Sequence, residues 1–298
     1  MESFSRGWSF LKQAWQMAAK DRDLIKPSIL SLIAGFVVSI IFIPLMVGAG
    51  FLTGGDSSLI GQVLLFVLGA IMIFIQYMVG YVFSAMTVHL IYGFLAEGDG
   101  QMDKAWAIVK RDVLDLMSLA AASTAVNLLK NAIQGKGKSA GRNALAGLLD
   151  TVWTEAAFLL LPAMVIEDIN LKDALIRIGN IIKNNLLLIG ISTVGVKAVN
   201  GLIGFIVGFT GIGLGFAIGF GIVSVTGVES VFGLVSGIGL GVLVASLFIM
   251  TATVITSYTA TAYHTCLYLW ARDVEKARAS GSQSQVQAPA PLAAVLGK

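Results

Sequence analysis

Two stretches of this chain rule out most of the ways it could fold. Between Lys197 and Glu229 lie 31 residues without a charge, and between Glu229 and Arg272 another 42 in which His264 is the only group that titrates near neutral pH. On a water-soluble domain, runs of this length would coat the surface in apolar side chains. About 20 apolar residues cross a bilayer core, so this part alone holds two spans. The sequence predicts an all-α integral membrane protein.

Composition narrows the function classes. Charged residues make up 12% of the 298, hydrophobic ones 56%, against roughly 25% charged in soluble domains. The formal charge of +3 is too small and too dispersed for a nucleic-acid surface. A single cysteine, Cys266, excludes an intrachain disulfide and fits a small buried hydrophobe. With His89, His264 and one cysteine, the chain offers no structural zinc set and no two-histidine helix motif. It has no Walker loop. The GxGxG at 211–215 sits in hydrophobic sequence with no strand before it. No cofactor and no catalytic residue are therefore expected. The first 26 residues carry Arg6, Lys12, Lys20, Arg22 and Lys26, so no cleavable signal peptide is expected.

Six hydrophobic segments are predicted at about 29–51, 59–95, 113–133, 145–166, 186–225 and 231–270. Before them, residues 1–28 hold an amphipathic helix over 3–20, with Phe4, Trp8, Leu11 and Trp15 at i, i+4, i+7 and i+11. Trp8 and Trp15 would anchor it in the headgroup layer, unless the helix packs on the rest of the protein. Pro44 should kink the first segment. The second is too long for a ~30 Å core as one helix, which predicts either a helix projecting into the cytoplasm or a break near Gly80. The third and fourth flank a basic loop of Lys130, Lys136, Lys138 and Arg142, against the positive-inside preference. They either cross fully or form a partly penetrating hairpin.

A second interfacial helix is predicted over 170–185, with Asn170 as its cap and Asp173 at N3. Leu171, Ala174, Leu175, Ile178, Ile181 and Ile182 would form its apolar face. Lysine and arginine placement puts both termini in the cytoplasm, and the Ser-, Gln- and Pro-rich 273–298 should be a mobile tail. The membrane domain thus covers 29–272.

Three features could carry function. Gly204, Gly208, Gly211, Gly215 and Gly219 fall 4-3-4-4 apart, and Gly233, Gly237 and Gly241 repeat every four. Such rows let backbones approach closely, either between the two halves of this hairpin or between neighbouring subunits. Asp150, Glu155, Lys197 and Asn200 are polar groups within apolar segments, where ionisable side chains mark function by default. They line a polar path, or Glu155 and Lys197 simply neutralise each other. Thr253, Ser257, Thr261 and His264 repeat at i, i+4, i+8 and i+11; this stripe faces water or a permeating ion, or bonds back to its own helix. Tyr258, Tyr263, Tyr268 and Trp270 around His264 suit an aromatic belt.

The opening Ser5-Arg-Gly-Trp8 leading to Trp15, then Lys20-Asp-Arg-Asp-Leu24, resembles that of an uncharacterised family of prokaryotic multi-span membrane proteins. Leu161-Pro-Ala-Met-Val-Ile-Glu167-Asp and Asp173-Ala-Leu-Ile-Arg177 resemble that family's other recurring segment. In helix order the chain is more distantly similar to CysZ-type sulfate permeases. The resemblance implies a prokaryotic plasma membrane and assigns no activity. The expected function is a self-associating channel or permease for a small solute or ion, embedded in lipid. The rival is a scaffold that organises lipid or recruits a partner, and an intramembrane enzyme ranks behind both.

Overall fold

Hydrocarbon leaves a backbone few choices, since every N–H and C=O must be satisfied within the segment. The computed structural model describes residues 2–135, 140–227, 230–280 and 286–296. Among them are helices and no strand. Six helices are long and apolar enough to span a membrane, so the all-α membrane-type fold holds. The chain divides into two compact units, one of residues 18–186 and 264–289 and the other of 1–17, 187–263 and 290–298.

In the first unit, α2 (Lys26–Thr53) and α3 (Leu59–Glu97) form a hairpin. Gly54 closes α2 with a φ of 79°, and the Ser58 hydroxyl caps α3 by accepting from the Gly61 N–H at 2.9 Å. Leu52 and Phe51 at the hairpin tip are 89% and 85% exposed. Side chains of that kind, continuous with Ile33, Phe36, Ile40, Leu59 and Ile60, form an apolar surface that lipid, not water, solvates. Pro44 lies inside α2 without ending it.

Of the two alternatives for the second segment, one long helix or a break near Gly80, the break does not occur. α3 is one helix of 39 residues, because an isolated glycine costs only about 1 kcal/mol and leaves the hydrogen-bond ladder intact. Its second half buries Ala85, Met86, Val88, Leu90 and Ile91, and a short α4 (Met102–Arg111) packs there with Trp106 edge-on to Phe83. α5 (Val113–Gln134) and α6 (Ala140–Glu167) pack on α3 and on each other. With 22 and 28 residues, both are long enough for a ~30 Å core. The fourth span starts earlier than expected, at Ala140. Of the basic loop, Lys136 and Lys138 lie outside the described residues.

Asn170 caps α7 as its sequence predicts, with its carboxamide oxygen accepting the Asp173 N–H at 3.0 Å. The separation into an interfacial helix at 170–185 and a span at 186–225 is corrected: α7 is one helix, Leu171–Thr226, of 56 residues. A change from amphipathic to apolar sequence does not interrupt a backbone ladder that meets no proline. The face predicted for the headgroup layer is partly covered by protein, since Ala174, Ile178 and Ile181 are buried while Leu175 is exposed. The side chain of Ile182 lies outside the described residues.

In the second unit, α1 (Glu2–Lys20) buries Gly7, Phe10, Ala14 and Met17. Phe10 meets the edge of Tyr263 on α8 (Val231–Ala279), and the Tyr258 hydroxyl donates to the Ala14 carbonyl at 2.9 Å. So α1 packs on protein along one face, while Phe4 and Trp8 on the adjoining stripe stay half exposed. The aromatic-belt expectation is corrected too. Tyr258 and Tyr263 in this unit, and Tyr268 and Trp270 in the first, are at most 7% exposed and are core residues. The mobile-tail expectation fails over 273–279, which extends α8, and over 290–296, where α9 (Ala290–Leu296) forms behind a proline-compatible first turn. Leu292 and Val295 of α9 are buried; residues 281–285 lie outside the described ones.

Candidate functional site

A polar cluster assembles on α3, α5 and α6 from residues spaced by helical turns. On α3, Tyr77 and Tyr81 are four apart and stack at 6.0 Å, 13° from parallel. Ser123, Asn127 and Asn131 follow the same spacing on α5. The Tyr81 hydroxyl meets Ser123 Oγ at 2.6 Å, and the Trp153 indole N–H of α6 donates to the same oxygen at 2.9 Å. Asn127 Nδ2 donates to the Tyr77 hydroxyl at 3.4 Å, and Asn131 Nδ2 donates to Asn127 Oδ1 at 3.1 Å. Toward α2, Gln76 Nε2 donates to the Gly35 carbonyl at 2.9 Å and to Ser39 Oγ at 3.0 Å. A cavity of about 300 Å³ opens between α3 and α5, lined by Met72, Ile73, Gln76, Tyr77 and Asn127.

α6 carries polar groups along most of its length. Near its start Asp150 accepts from Lys130 Nζ at 2.8 Å. One turn on comes Trp153. Glu155 then meets His264 Nε2 at 3.4 Å, and Phe158 stacks on the histidine ring at 4.7 Å, 11° from parallel. His264 is 4% exposed, and the Glu155 side chain is 26% exposed. At the helix end Glu167 takes two hydrogen bonds from Arg177, at 3.1 and 3.3 Å, and the same guanidinium reaches Glu275 on α8. Burial alone would lower the Arg177 pKa, but its bonds to Glu167 and Glu275 outweigh that and hold it above the ordinary arginine range. Asp168, next to Glu167 in the chain, binds Arg111, which also binds Asp112, and the Asp112 bond raises the Arg111 pKa.

The sequence-derived candidates separate accordingly. Glu155 and His264 come together, although the sequence placed them in different sets. Asp150 pairs with Lys130. Asn200 Nδ2 donates to the Thr256 carbonyl at 3.0 Å, leaving its buried Oδ1 without a hydrogen-bond partner among the described residues. Lys197 has an exposed side chain. Along the α8 stripe, Thr253 is exposed and bonds back to the Ile249 carbonyl at 2.9 Å, Ser257 is half-buried, and Thr261 is buried. Trp8 is 51% exposed, whereas Trp15 donates its indole N–H to Thr259 Oγ1 at 3.2 Å. Within the α7–α8 hairpin, a Cβ built on Gly219 would lie 2.9 Å from the Gly237 carbonyl oxygen, and one on Gly237 2.8 Å from that of Gly219. Gly215 approaches Gly241, Gly211 faces Phe248, and Gly204 faces Thr256. Gly233 packs on Thr226, and Gly208 has open space around it.

Sequence reasoning missed Gln76, Tyr77, Tyr81, Ser123, Asn127 and Trp153. The four-residue spacing of Tyr77 and Tyr81, and of Ser123 and Asn127, was the available signal. No group of three metal-ligating side chains occurs among the described residues. No protein-family model, no curated protein and no solved structure matches the chain.

Proposed function

We propose that the chain is a permease or channel for a small solute or ion, in a prokaryotic plasma membrane with both termini in the cytoplasm. One observation carries this reading: the succession of polar groups along α6, at Asp150, Trp153, Glu155 and Glu167, each with a partner inside the same compact unit. An ionisable residue at mid-membrane costs about 2.5–3.5 kcal/mol on insertion scales. A helix needed only as a wall would be cheaper in leucine. A helix that guides a polar solute needs such groups at successive depths. Self-association belongs to the same proposal, but the glycine rows lend it nothing, because their close approaches are made within one chain.

The test is reconstitution into liposomes with ion-flux and sulfate-uptake readouts, comparing wild type with Glu155→Gln. Flux in the wild type, reduced in the variant, is the expected result. No flux under any gradient transfers the case to the rival, a scaffold at the lipid surface. That rival draws on a different observation: Phe4 and Trp8 face outward from α1 while its other face is fixed to α8.

A further inference from the structure

The α3–α5 cavity has walls that define what can occupy it. At about 300 Å³ it is at the lower end of small-molecule sites. Met72, Ile73, Gln76, Tyr77 and Asn127 line it, and none of them carries a charge. The ion pair of Lys130 and Asp150 is closed on itself at 2.8 Å and has little field left to offer an ion. An ion entering here would give up part of its hydration and meet no counter-charge.

Hydrogen-bonding capacity does remain. Both N–H groups of the Gln76 carboxamide are taken, by Gly35 and Ser39, so its oxygen is an acceptor with no donor among the described residues. The Tyr77 hydroxyl accepts from Asn127 and keeps its own proton to donate. One acceptor and one donor thus remain to be matched in a half-exposed site whose other walls are apolar. Met72 and Ile73 supply apolar contact for a small alkyl group.

We infer that this cavity binds a small uncharged solute bearing both a hydrogen-bond donor and an acceptor, of the size and type of acetamide or methylurea. The inference rests on the permease reading for its purpose and names the solute class, while binding itself is measurable without transport. Saturation-transfer NMR on the full chain in nanodiscs separates the two. The probes are acetamide and methylurea against their charged isosteres acetate and methylguanidinium, all read through methyl protons. The neutral pair should receive about tenfold more transfer than the charged pair, the weight of one well-made hydrogen bond. Asn127→Leu, and the gentler Tyr77→Phe that removes only a hydroxyl, should each lower it. Equal or stronger transfer to acetate or methylguanidinium overturns the inference. So does transfer unchanged in both variants, or none to any probe. Acetamide binding without acetamide uptake into liposomes keeps the site and sinks the permease reading; acetamide uptake without such binding does the reverse.

Discussion

Glu155 on α6 and His264 on α8 meet at 3.4 Å in a place where His264 is 4% exposed. They are separated by 109 residues in the chain, and Phe158 closes one face of the imidazole by stacking on it. The pair therefore couples two transmembrane helices through groups that hydrocarbon does not tolerate alone. His264→Leu leaves the carboxylate without this partner and should lower stability by about 1–3 kcal/mol. His264→Gln, which keeps a polar group in reach, should recover part of it. Thermal unfolding in detergent reads both; equal stability in all three proteins would show that the contact carries no weight.

Gly219 and Gly237 set the spacing of the α7–α8 hairpin. A methyl group on either would fall inside contact distance of the opposing carbonyl oxygen, at 2.9 and 2.8 Å. Gly219→Leu should cost about 1–3 kcal/mol by overpacking. Gly213 has open space where a Cβ would stand, among the described residues. Gly213→Ala should then be neutral or slightly stabilising, by the gain in helix propensity. Similar losses from the two substitutions, measured by the same unfolding assay, would contradict this packing.

The fold and the site were legible to different degrees, for physical reasons. Charge-free runs around Phe205 to Val225 and Phe232 to Ala252 announce hydrocarbon because no soluble surface accommodates them. The Asn170 cap was equally plain, since its meaning lies in a spacing of three residues along one helix. The continuity of α7 was not legible: polarity changes near Asn185, but hydrogen bonding does not. The core role of Tyr258 and Tyr263 was hidden because it depends on α1, more than 200 residues away in the chain. The Glu155–His264 pair and the Ser123–Trp153 bond share that difficulty. Single uncharged polar residues in apolar helices look alike until a partner from another helix is known.

Asp21 joins two connections. One carboxylate oxygen accepts the Asp23 N–H at 2.9 Å and the other the Gly100 N–H at 2.7 Å, so the turn before α2 is tied to the loop between α3 and α4. A Cβ on Gly100 would lie 2.9 Å from that second oxygen. Asp21→Ala removes both acceptors and should destabilise by about 1–3 kcal/mol. Amide exchange at Gly100 should quicken more than exchange in α2. Unchanged protection at Gly100 would argue against the tie.

Arg177 binds Glu167 and Glu275 together and so links the end of α6, the first turns of α7 and the end of α8. The three side chains are 23–33% exposed, which leaves salt some access to them. Arg177→Gln should cost on the order of 1–2 kcal/mol, above a typical surface pair because two carboxylates lose one shared cation. The difference between wild type and variant should shrink as salt is raised. A gap that stays constant up to high ionic strength would point to lost packing in place of lost charge.

Trp8 and Trp15 lie seven residues apart on α1 yet face different surroundings. Trp8 is 51% exposed beside Phe4, while Trp15 is half-buried, bonded to Thr259 and edge-on to Tyr258. An exposed tryptophan on an amphipathic helix with Arg6 and Lys12 nearby belongs in the headgroup layer. In single-tryptophan variants reconstituted with brominated lipids, Trp8 emission should be quenched strongly and Trp15 emission weakly. Anionic lipid should strengthen the Trp8 effect through Arg6 and Lys12. If Trp8 escapes quenching at every bromine depth, α1 does not touch lipid, and the scaffold reading loses the surface it depends on.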